Sequence, residues 1–199
     1  MRLLLRLGRD SEQESVREKV MFSRNSLAAC IFLLGLLALG GLEGCTAAKH
    51  KGKGRVHDEE HGFSIVPPAG WISRGEFMGN FMTFTGPQEG GFMVNFNVNV
   101  QDHDRSPIEQ VPAQVKLVHR KMLTDLVIAD ERFVTIDKKK CYCISSRFRM
   151  GTDRLQNLHY FLIGRNRKKI YIMTFTAPAD SFAEYRPLFE RTALTARTD

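Results

Sequence analysis

Two consecutive strand-like segments carry apolar side chains on both of their sides, and this feature most constrains the fold. They are residues 155–163 and 170–176. Successive side chains of a strand point to opposite faces. In the first segment Leu155 and Phe161 therefore share one face, and Leu158 lies on the other. A sheet that is apolar on both faces must be covered on both faces, so we expect helices on each side of it.

Two segments have the apolar spacing of the helices that this sheet requires. The first follows Ser106-Pro107-Ile108-Glu109, which reads as a capping box with proline at the first helical position. Its predicted buried stripe is Ile108, Val111, Val115, Val118, Met122 and Leu126. The second helix is predicted to begin after Asp180 or Ser181. Its predicted inner face is Phe182, Tyr185, Phe189 and Leu194.

The remaining pattern predicts an antiparallel sheet. Short strands are expected at 62–66, 81–85 and 92–100 before the first helix, with Gly86-Pro87 ending the second. Four more are expected at 132–137, 141–150, 155–163 and 170–176, joined by short turns as in a meander. The predicted class is α+β, an antiparallel sheet of about six to seven strands sandwiched between helices (an α-β-α sandwich).

Several quoted segments resemble the PsbP-like fold over residues 62–195. They are GFSIVPPAGW, NFNVNV with the helix after it, IYIMTFTAP and FAEYRPLFE. That group includes extrinsic photosystem II subunits, a yeast Ran-binding protein and many bacterial lipoproteins. The resemblance implies an α-β-α sandwich. Its motifs are structural and supply no catalytic residue, so the expected function is non-catalytic and needs no cofactor.

The N-terminal residues read as an export signal. Residues 26–41 are apolar and uncharged, shorter than the ~20 residues of a spanning helix, and follow Arg24. Leu42 to Cys45 (LEGC) resemble the lipobox of bacterial lipoproteins, which implies that Cys45 is lipidated and that the protein is exported and membrane-anchored. Four acidic residues precede the apolar run, which favours Met21 as the true start. The alternative is an uncleaved anchor.

Three regions follow from this interpretation. Residues 1–44 are the signal segment, 45–61 the lipidated cysteine with a flexible basic tether, and 62–199 the globular domain. The tether, TAAKHKGKGRVHDEEH, is small, basic and without apolar periodicity. It contains HDEEH, from His57 to His61, which matches an inverted zinc-protease pattern. Gly62 and a strand follow at once, so we read it as a solvated linker and predict no metal site.

The charge of the chain favours anionic partners. The formal net charge is +7, and residues 45–199 contain 23 Lys+Arg against 17 Asp+Glu. This balance suits lipid headgroups or an acidic partner, but it is not the dense basic stripe of a nucleic-acid binder. Alternate turns of a meander lie at the same end of the sheet. We therefore expect a basic patch, alternatively read as ordinary solubilising turns, at Lys138, Lys139, Lys140, Arg165, Arg167, Lys168 and Lys169.

Other polar residues give further hypotheses. Asn95, Asn97 and Asn99 share one side of a strand as a polar strip, which serves recognition if open and structure if a helix covers it. Cys141 and Cys143 share one strand face, as buried thiols or as a redox or metal pair.

Three more residue groups have an ordinary structural interpretation beside a functional one. Asp102-His103-Asp104 suggests an enzyme of unrecognised type, against an ordinary loop. His119 and His159 are isolated in sequence and read as structural or exposed. The leading expectation is a lipid-anchored, non-catalytic binding or accessory module of the cell envelope, binding an anionic component or a protein partner.

Overall fold

A seven-stranded antiparallel sheet forms the centre of the protein, in a computed structural model that describes residues 54–199. Its strand order is β3-β4-β5-β9-β8-β7-β6. The strands are β3 (Ile72–Phe77), β4 (Asn80–Glu89), β5 (Phe92–Asp102), β6 (Thr124–Ile136), β7 (Lys139–Met150), β8 (Asp153–Ile163) and β9 (Lys169–Pro178). The last four pair in chain order, which confirms the predicted meander.

A second, small sheet joins the two ends of the described chain. Its order is β1-β2-β10, formed by Val56–Asp58, Phe63–Ile65 and Arg197–Thr198. The predicted boundary of the tether at His61 is therefore wrong, because Val56 pairs with Ile65 in a β-ladder. The half-buried Val56 packs against the core, which places it inside the domain.

The C-terminal helix α2 (Phe182–Leu194) covers one face of the large sheet. Phe189 is fully buried there, with its ring centroid 5.2 Å from Phe175 and 6.3 Å from Trp71. Leu194 was predicted on the inner face, but 52% of it is exposed. The helix ends at Leu194 and the chain turns into β10, so that residue faces solvent. Ser181 precedes the helix without making a side-chain cap.

The opposite face is covered in part by a 3-10 turn (Ile108–Gln110) and helix α1 (Val111–Met122). The buried residues of this layer are Ile108, Val111, Val115, Tyr142, Ile144, Phe161, Ile170 and Ile172. No side-chain hydrogen bond caps the turn, so the predicted capping box does not form. The predicted helical stripe through Leu126 is also wrong, because Leu123 is extended and β6 begins at Thr124.

Two parts of the sheet differ from the sequence prediction. Strand β3 was not predicted, since its residues ISRGEF lack the alternation of a half-buried strand. Strand β4 continues through Gly86-Pro87, where the prediction ended it. Its pairing with β5 shifts register between Thr85 and Gln88. A bulge of this kind accommodates a proline within a strand.

Candidate functional site: a basic cleft and a polar band

Two hairpin turns bring the basic patch to one end of the large sheet. The first turn is Asp137-Lys138, whose φ angles are 52° and 60°, between the paired residues Ile136 and Lys139. Positive φ at both central residues is the geometry of a two-residue hairpin that follows strand twist. The second turn lies between β8 and β9, and Arg167 within it has φ 58°. Both turns close alternate hairpins, so they lie at the same end.

An open cleft of about 480 Å³ lies between these turns and the start of the α1 layer. Four patch cations line it, and they are Lys139, Lys140, Arg165 and Arg167. Apolar lining comes from Pro107, Ile108 and Ile163. Glu109 is the acidic residue of the lining. We call this feature the basic cleft.

Some cations of the patch already have partners. Lys140 Nζ lies 2.8 Å from Glu109 Oε1 and 4.3 Å from the centroid of the Phe133 ring. The hydrogen bond from Lys140 lowers the pKa of Glu109. Lys139 Nζ lies 3.3 Å from Asp137 Oδ2. These contacts fix the two lysines of β7 without closing the cleft.

Four of the five other patch cations lie on exposed turn residues. Arg167 donates from one guanidinium nitrogen to the carbonyl oxygens of Arg105 and Ser106, at 3.0 and 3.3 Å. Lys138, Arg165 and Lys168 are exposed. Within residues 54–199, ion pairs at 4.0 Å or less involve none of these four cations. Uncompensated cations at one end of a fold attract anions.

The tether joins the folded domain at the small sheet, whose other outer strand, β10, contacts the patch. Arg55 donates to the carbonyl oxygen of Thr195 at 2.7 Å and to Ser64 Oγ at 3.1 Å. Three residues beyond Thr195, Thr198 accepts hydrogen bonds from Lys139 Nζ. Strand β2 separates β1 from β10. The register places Arg55 level with Thr195, so it lies two strand spacings across and three residues along from Thr198, roughly 14 Å in all.

Most of the polar strip is buried. Asn95 and Asn99 are buried, at 4% and 7% exposure, and Asn97 is half-buried. Asn95 Nδ2 donates to the Met93 carbonyl at 2.8 Å, and Asn99 Nδ2 donates to the Gly79 carbonyl. These contacts tie β5 to local backbone, which is the structural alternative of the sequence analysis. The amides line a covered face and form no open strip.

The strip belongs to a larger polar band that the sequence did not indicate. Polar residues that pair across neighbouring strands form two rows on the face of the sheet that α1 covers. The band consists of Thr83, Thr85, Asn95, Asn97, Ser146, Asn157, His159, Thr174 and Thr176. All of them except Asn97 are buried. The band carries no Asp, Glu, Lys or Arg, so it is polar without carrying a fixed charge.

His119 of α1 meets His159 at the edge of this band. Their rings form an edge-to-face pair with centroids 5.0 Å apart, and His119 Nδ1 lies 3.2 Å from Ser146 Oγ. Burial lowers the pKa of His119 to about 4. Burial, with the neighbouring His119, holds the pKa of His159 well below its ordinary value. Both imidazoles are therefore neutral at pH 7.

A sequence signal for this pair was present. His119 lies four residues after Val115 and eight after Val111, which is the spacing of the buried stripe. Among residues 54–199, His119 Nε2, both nitrogens of His159, Asn157 Nδ2 and Thr176 Oγ1 are buried without a hydrogen-bond partner. Buried polar atoms usually have one, so this is the least satisfied part of the described interior.

Cys141 and Cys143 are free and fully buried beneath α2, on the other face of the sheet. Burial raises the pKa of the Cys143 thiol to about 11 and raises that of Cys141 further. The thiolate is the nucleophile and the metal ligand. Two protonated, enclosed thiols therefore agree with the buried-thiol alternative.

The other sequence candidates serve local structure. Ser106 lowers the pKa of Asp104, first through its side-chain hydroxyl and then through its backbone N–H, which donates to Asp104 Oδ1 at 2.9 Å. His103 Nε2 lies 3.1 Å from the Ser106 carbonyl oxygen, while Asp102 ends β5. The HDEEH segment forms part of β1 and a turn, with Asp58 Oδ1 2.8 Å from His61 Nδ1. Because it is not helical, its histidines do not share a helix face.

Residues 54–199 contain no cluster of three or more His, Cys, Asp or Glu side chains placed to hold a metal ion. None of the helices in that part is long and apolar enough to cross a membrane.

Comparison with known proteins was informative only at the level of structure. The sequence matches no protein-family profile. A search of curated proteins also found no match. Cyanobacterial PsbP (CyanoP) from Synechocystis is similar in structure, with a TM-score of 0.55 and 18% identity over 83% of this chain and 99% of that one.

Two more solved structures share the fold. The Saccharomyces cerevisiae Ran-binding protein Mog1p has a TM-score of 0.53 and 8% identity, covering 74% of this chain and 96% of its own. LpqN, involved in cell envelope biogenesis of Mycobacterium tuberculosis, has a TM-score of 0.52 and 11% identity, covering 77% and 90%. At these identities the likeness concerns the fold alone. Together with the antiparallel sheet and its two covering helices, it shows that the chain has the α+β, PsbP-like fold.

Proposed function

We propose that the chain is a non-catalytic accessory module of the cell envelope, held to a membrane by a lipid on Cys45. In this proposal the basic patch rests against the anionic surface of that membrane. The observation that carries the proposal is that the tether joins the domain at Arg55, on the small sheet whose strand β10 contacts Lys139 of the patch.

The length of the tether allows the patch to rest against the membrane. With β1 beginning at Val56, the tether comprises residues 46–55 and reaches at most about 35 Å when extended. A domain anchored through residue 45 therefore stays within about 35 Å of the bilayer, close enough for the patch to contact it. Each lysine or arginine near an anionic leaflet contributes on the order of 1 kcal/mol. Several weak contacts then orient a domain that the lipid already holds nearby.

Three features support an accessory role. Residues 54–199 hold no group of three or more His, Cys, Asp or Glu side chains placed to bind a metal ion. The Asp102-His103-Asp104 loop uses its polar groups in local hydrogen bonds. One structural neighbour, LpqN, is involved in cell envelope biogenesis, which favours an envelope location for this chain also.

Fatty-acid labelling tests the anchor. Cells expressing the full chain are fed a labelled palmitate, and the purified protein is assayed for label. We expect the wild type to carry it and Cys45→Ala to lose it. An unlabelled wild type, or label that persists in Cys45→Ala, contradicts lipidation at this residue.

Lysine footprinting tests the orientation. The full chain is reconstituted into vesicles of phosphatidylcholine with or without phosphatidylglycerol, and exposed amines are modified and identified by mass spectrometry. Anionic lipid is expected to protect Lys138 and Lys168. Lys121, exposed at the far end of α1, is the matched control. Equal modification of Lys138 and Lys121 in both vesicles would show that the patch does not face the lipid.

A further inference from the structure

We propose that the basic cleft binds the phosphate of an anionic phospholipid headgroup, and that Glu109 competes with this phosphate for Lys140. This inference rests on the proposed function, because a membrane must lie next to the cleft. It goes further by assigning a defined site to what is otherwise a diffuse attraction between the patch and the bilayer.

The lining of the cleft matches both halves of such a ligand. Lys139 and Lys140 project from the start of β7, and Arg165 and Arg167 come from the β8–β9 turn. Ile108 and Ile163 add apolar surface to the same cavity. Cations suit the phosphate, and the apolar lining suits the glycerol carbons attached to it. The volume of about 480 Å³ lies within the range of small-ligand sites.

The arginines of the cleft have unused donors. Arg165 engages Asp199 through its backbone N–H, at 3.3 Å, and its exposed guanidinium makes no ion pair within residues 54–199. Arg167 uses one terminal nitrogen for the carbonyls that position it. A guanidinium presents five donors in a planar fork that binds phosphate oxygens in pairs. Two partly free guanidinium groups therefore suit a phosphate better than a single carboxylate.

Glu109 occupies the place of an anion in the unliganded cleft. Its carboxylate lies 2.8 Å from Lys140 Nζ, and the two side chains are 55% and 51% exposed. An exposed ion pair of this kind is weak, so an incoming phosphate exchanges with it readily. Removing the carboxylate should then strengthen binding, whereas removing a cation should weaken it. A purely diffuse attraction would respond to charge anywhere on the domain.

Location selects a lipid as the source of the phosphate. The tether joins the domain on the small sheet, roughly 14 Å from Thr198, which accepts hydrogen bonds from Lys139. Anionic headgroups are therefore the phosphates at highest local concentration. The apolar lining adds contacts that a free inorganic phosphate does not use.

The test uses the full chain inserted into lipid nanodiscs of phosphatidylcholine with increasing phosphatidylglycerol. The readout is the mole fraction of phosphatidylglycerol that gives half of the maximal rise in Tm. For the double variant Arg165→Gln/Arg167→Gln we expect this fraction to increase at least about fivefold, the factor for one cation lost near an anionic surface. For Glu109→Gln we expect it to decrease.

Two controls distinguish binding in the cleft from a general effect of charge and from binding of free phosphate. Arg147→Gln/Arg154→Gln removes two exposed cations from strands β7 and β8 away from the cleft, and should leave the fraction unchanged. An equal effect of this control pair, or no effect of Glu109→Gln, overturns the site. Inorganic phosphate added to phosphatidylcholine nanodiscs should not raise Tm, and a full rise there overturns the lipid assignment. Fatty-acid labelling and lysine protection are scored separately, so their failure is distinguishable from a failure of the cleft.

Discussion

The imidazole rings of His119 and His159 meet edge to face, with centroids 5.0 Å apart, where helix α1 lies on the sheet. One ring belongs to the helix and the other to β8, so the pair joins the two layers. Neither ring has a carboxylate partner among the described residues. Protonation of the pair would therefore place two cations in a covered, uncompensated position.

This pair predicts loss of stability in mild acid. The folded-state pKa values lie below the ordinary value, so the unfolded chain binds more protons as pH falls. For His119, with its pKa lowered to about 4, stability is intact above pH 6.5 and declines between pH 6.5 and 4. The slope is about 1.4 kcal/mol per pH unit for each histidine in that window.

Urea unfolding at pH 7 and pH 5 measures this effect. Between pH 7 and pH 5 the free energy of unfolding should fall less for His119→Gln than for the wild type. The reason is that the variant lacks one of the two buried groups that titrate. His57→Gln is the control, because it removes an exposed imidazole of β1 without touching the pair. An identical loss in the wild type and in His119→Gln would contradict the assignment.

The buried thiols of Cys141 and Cys143 should react slowly. Both are fully buried, and burial raises the pKa of Cys143 to about 11. In a chain carrying Cys30→Ala and Cys45→Ala, an aromatic disulfide reagent should modify neither thiol in native buffer and both after unfolding in urea. Rapid modification of one thiol in the native protein would favour the redox or metal alternative.

Gly86 is required by a close approach to Trp71. An added Cβ would lie 2.6 Å from Trp71 Cε2, well inside contact distance. Gly86→Ala should therefore lower the free energy of unfolding by about 1–3 kcal/mol, the usual cost of overpacking a core. Gly54→Ala is the matched control, since its methyl would meet nothing within 4 Å. Equal stability of both variants in urea would show that Trp71 moves aside freely.

An ion-pair network holds helix α2 to strand β6. Arg186 reaches Asp130 at 2.7 Å and Glu190 at 2.9 Å, and Arg132 contacts the same two carboxylates. All four side chains are about one-third exposed. Arg186→Met should lower the free energy of unfolding by about 1 kcal/mol, which is the upper part of the range for exposed pairs.

Salt dependence separates this network from ordinary surface charge. The difference between Arg186→Met and the wild type should shrink in 1 M salt, where the Debye length is about 3 Å. Asp125→Asn breaks the single exposed pair with Arg149, at 3.1 Å, and should cost less. If the two variants lose equal stability in urea at low salt, the network adds nothing beyond an isolated pair.

The sequence predicted the layers of this fold because its strongest patterns reflect burial. Residues such as Leu155 and Leu158, on opposite sides of β8, require cover on both faces, and the structure supplies it. The short basic turns likewise placed Lys140 near Arg165, which now line one cleft. Periodicity records which side chains are buried and where a chain reverses.

The same patterns missed features that depend on contacts between distant residues. Leu126 continues the helical spacing, yet pairing along β7 draws that stretch into β6. His119 and His159 are forty residues apart, and only the packing of α1 on β8 joins them. Glu109 was assigned to a capping box, and its contact with Lys140 depends on the β6–β7 turn. Spacing indicates that His119 is buried, but in none of these cases does a local pattern identify the distant partner.

The three-residue strand β1 has a mechanical consequence. A pull applied to the chain before Val56 reaches the fold first through the β1–β2 hairpin, whose outer strand pairs at Val56, His57 and Asp58. Such a load would first break the hydrogen bonds of Arg55 to Thr195 and Ser64, and would then open these pairs one at a time, starting at Val56. Because β1 belongs to the small sheet, its release would lengthen the tether before any strand of the seven-stranded sheet separates.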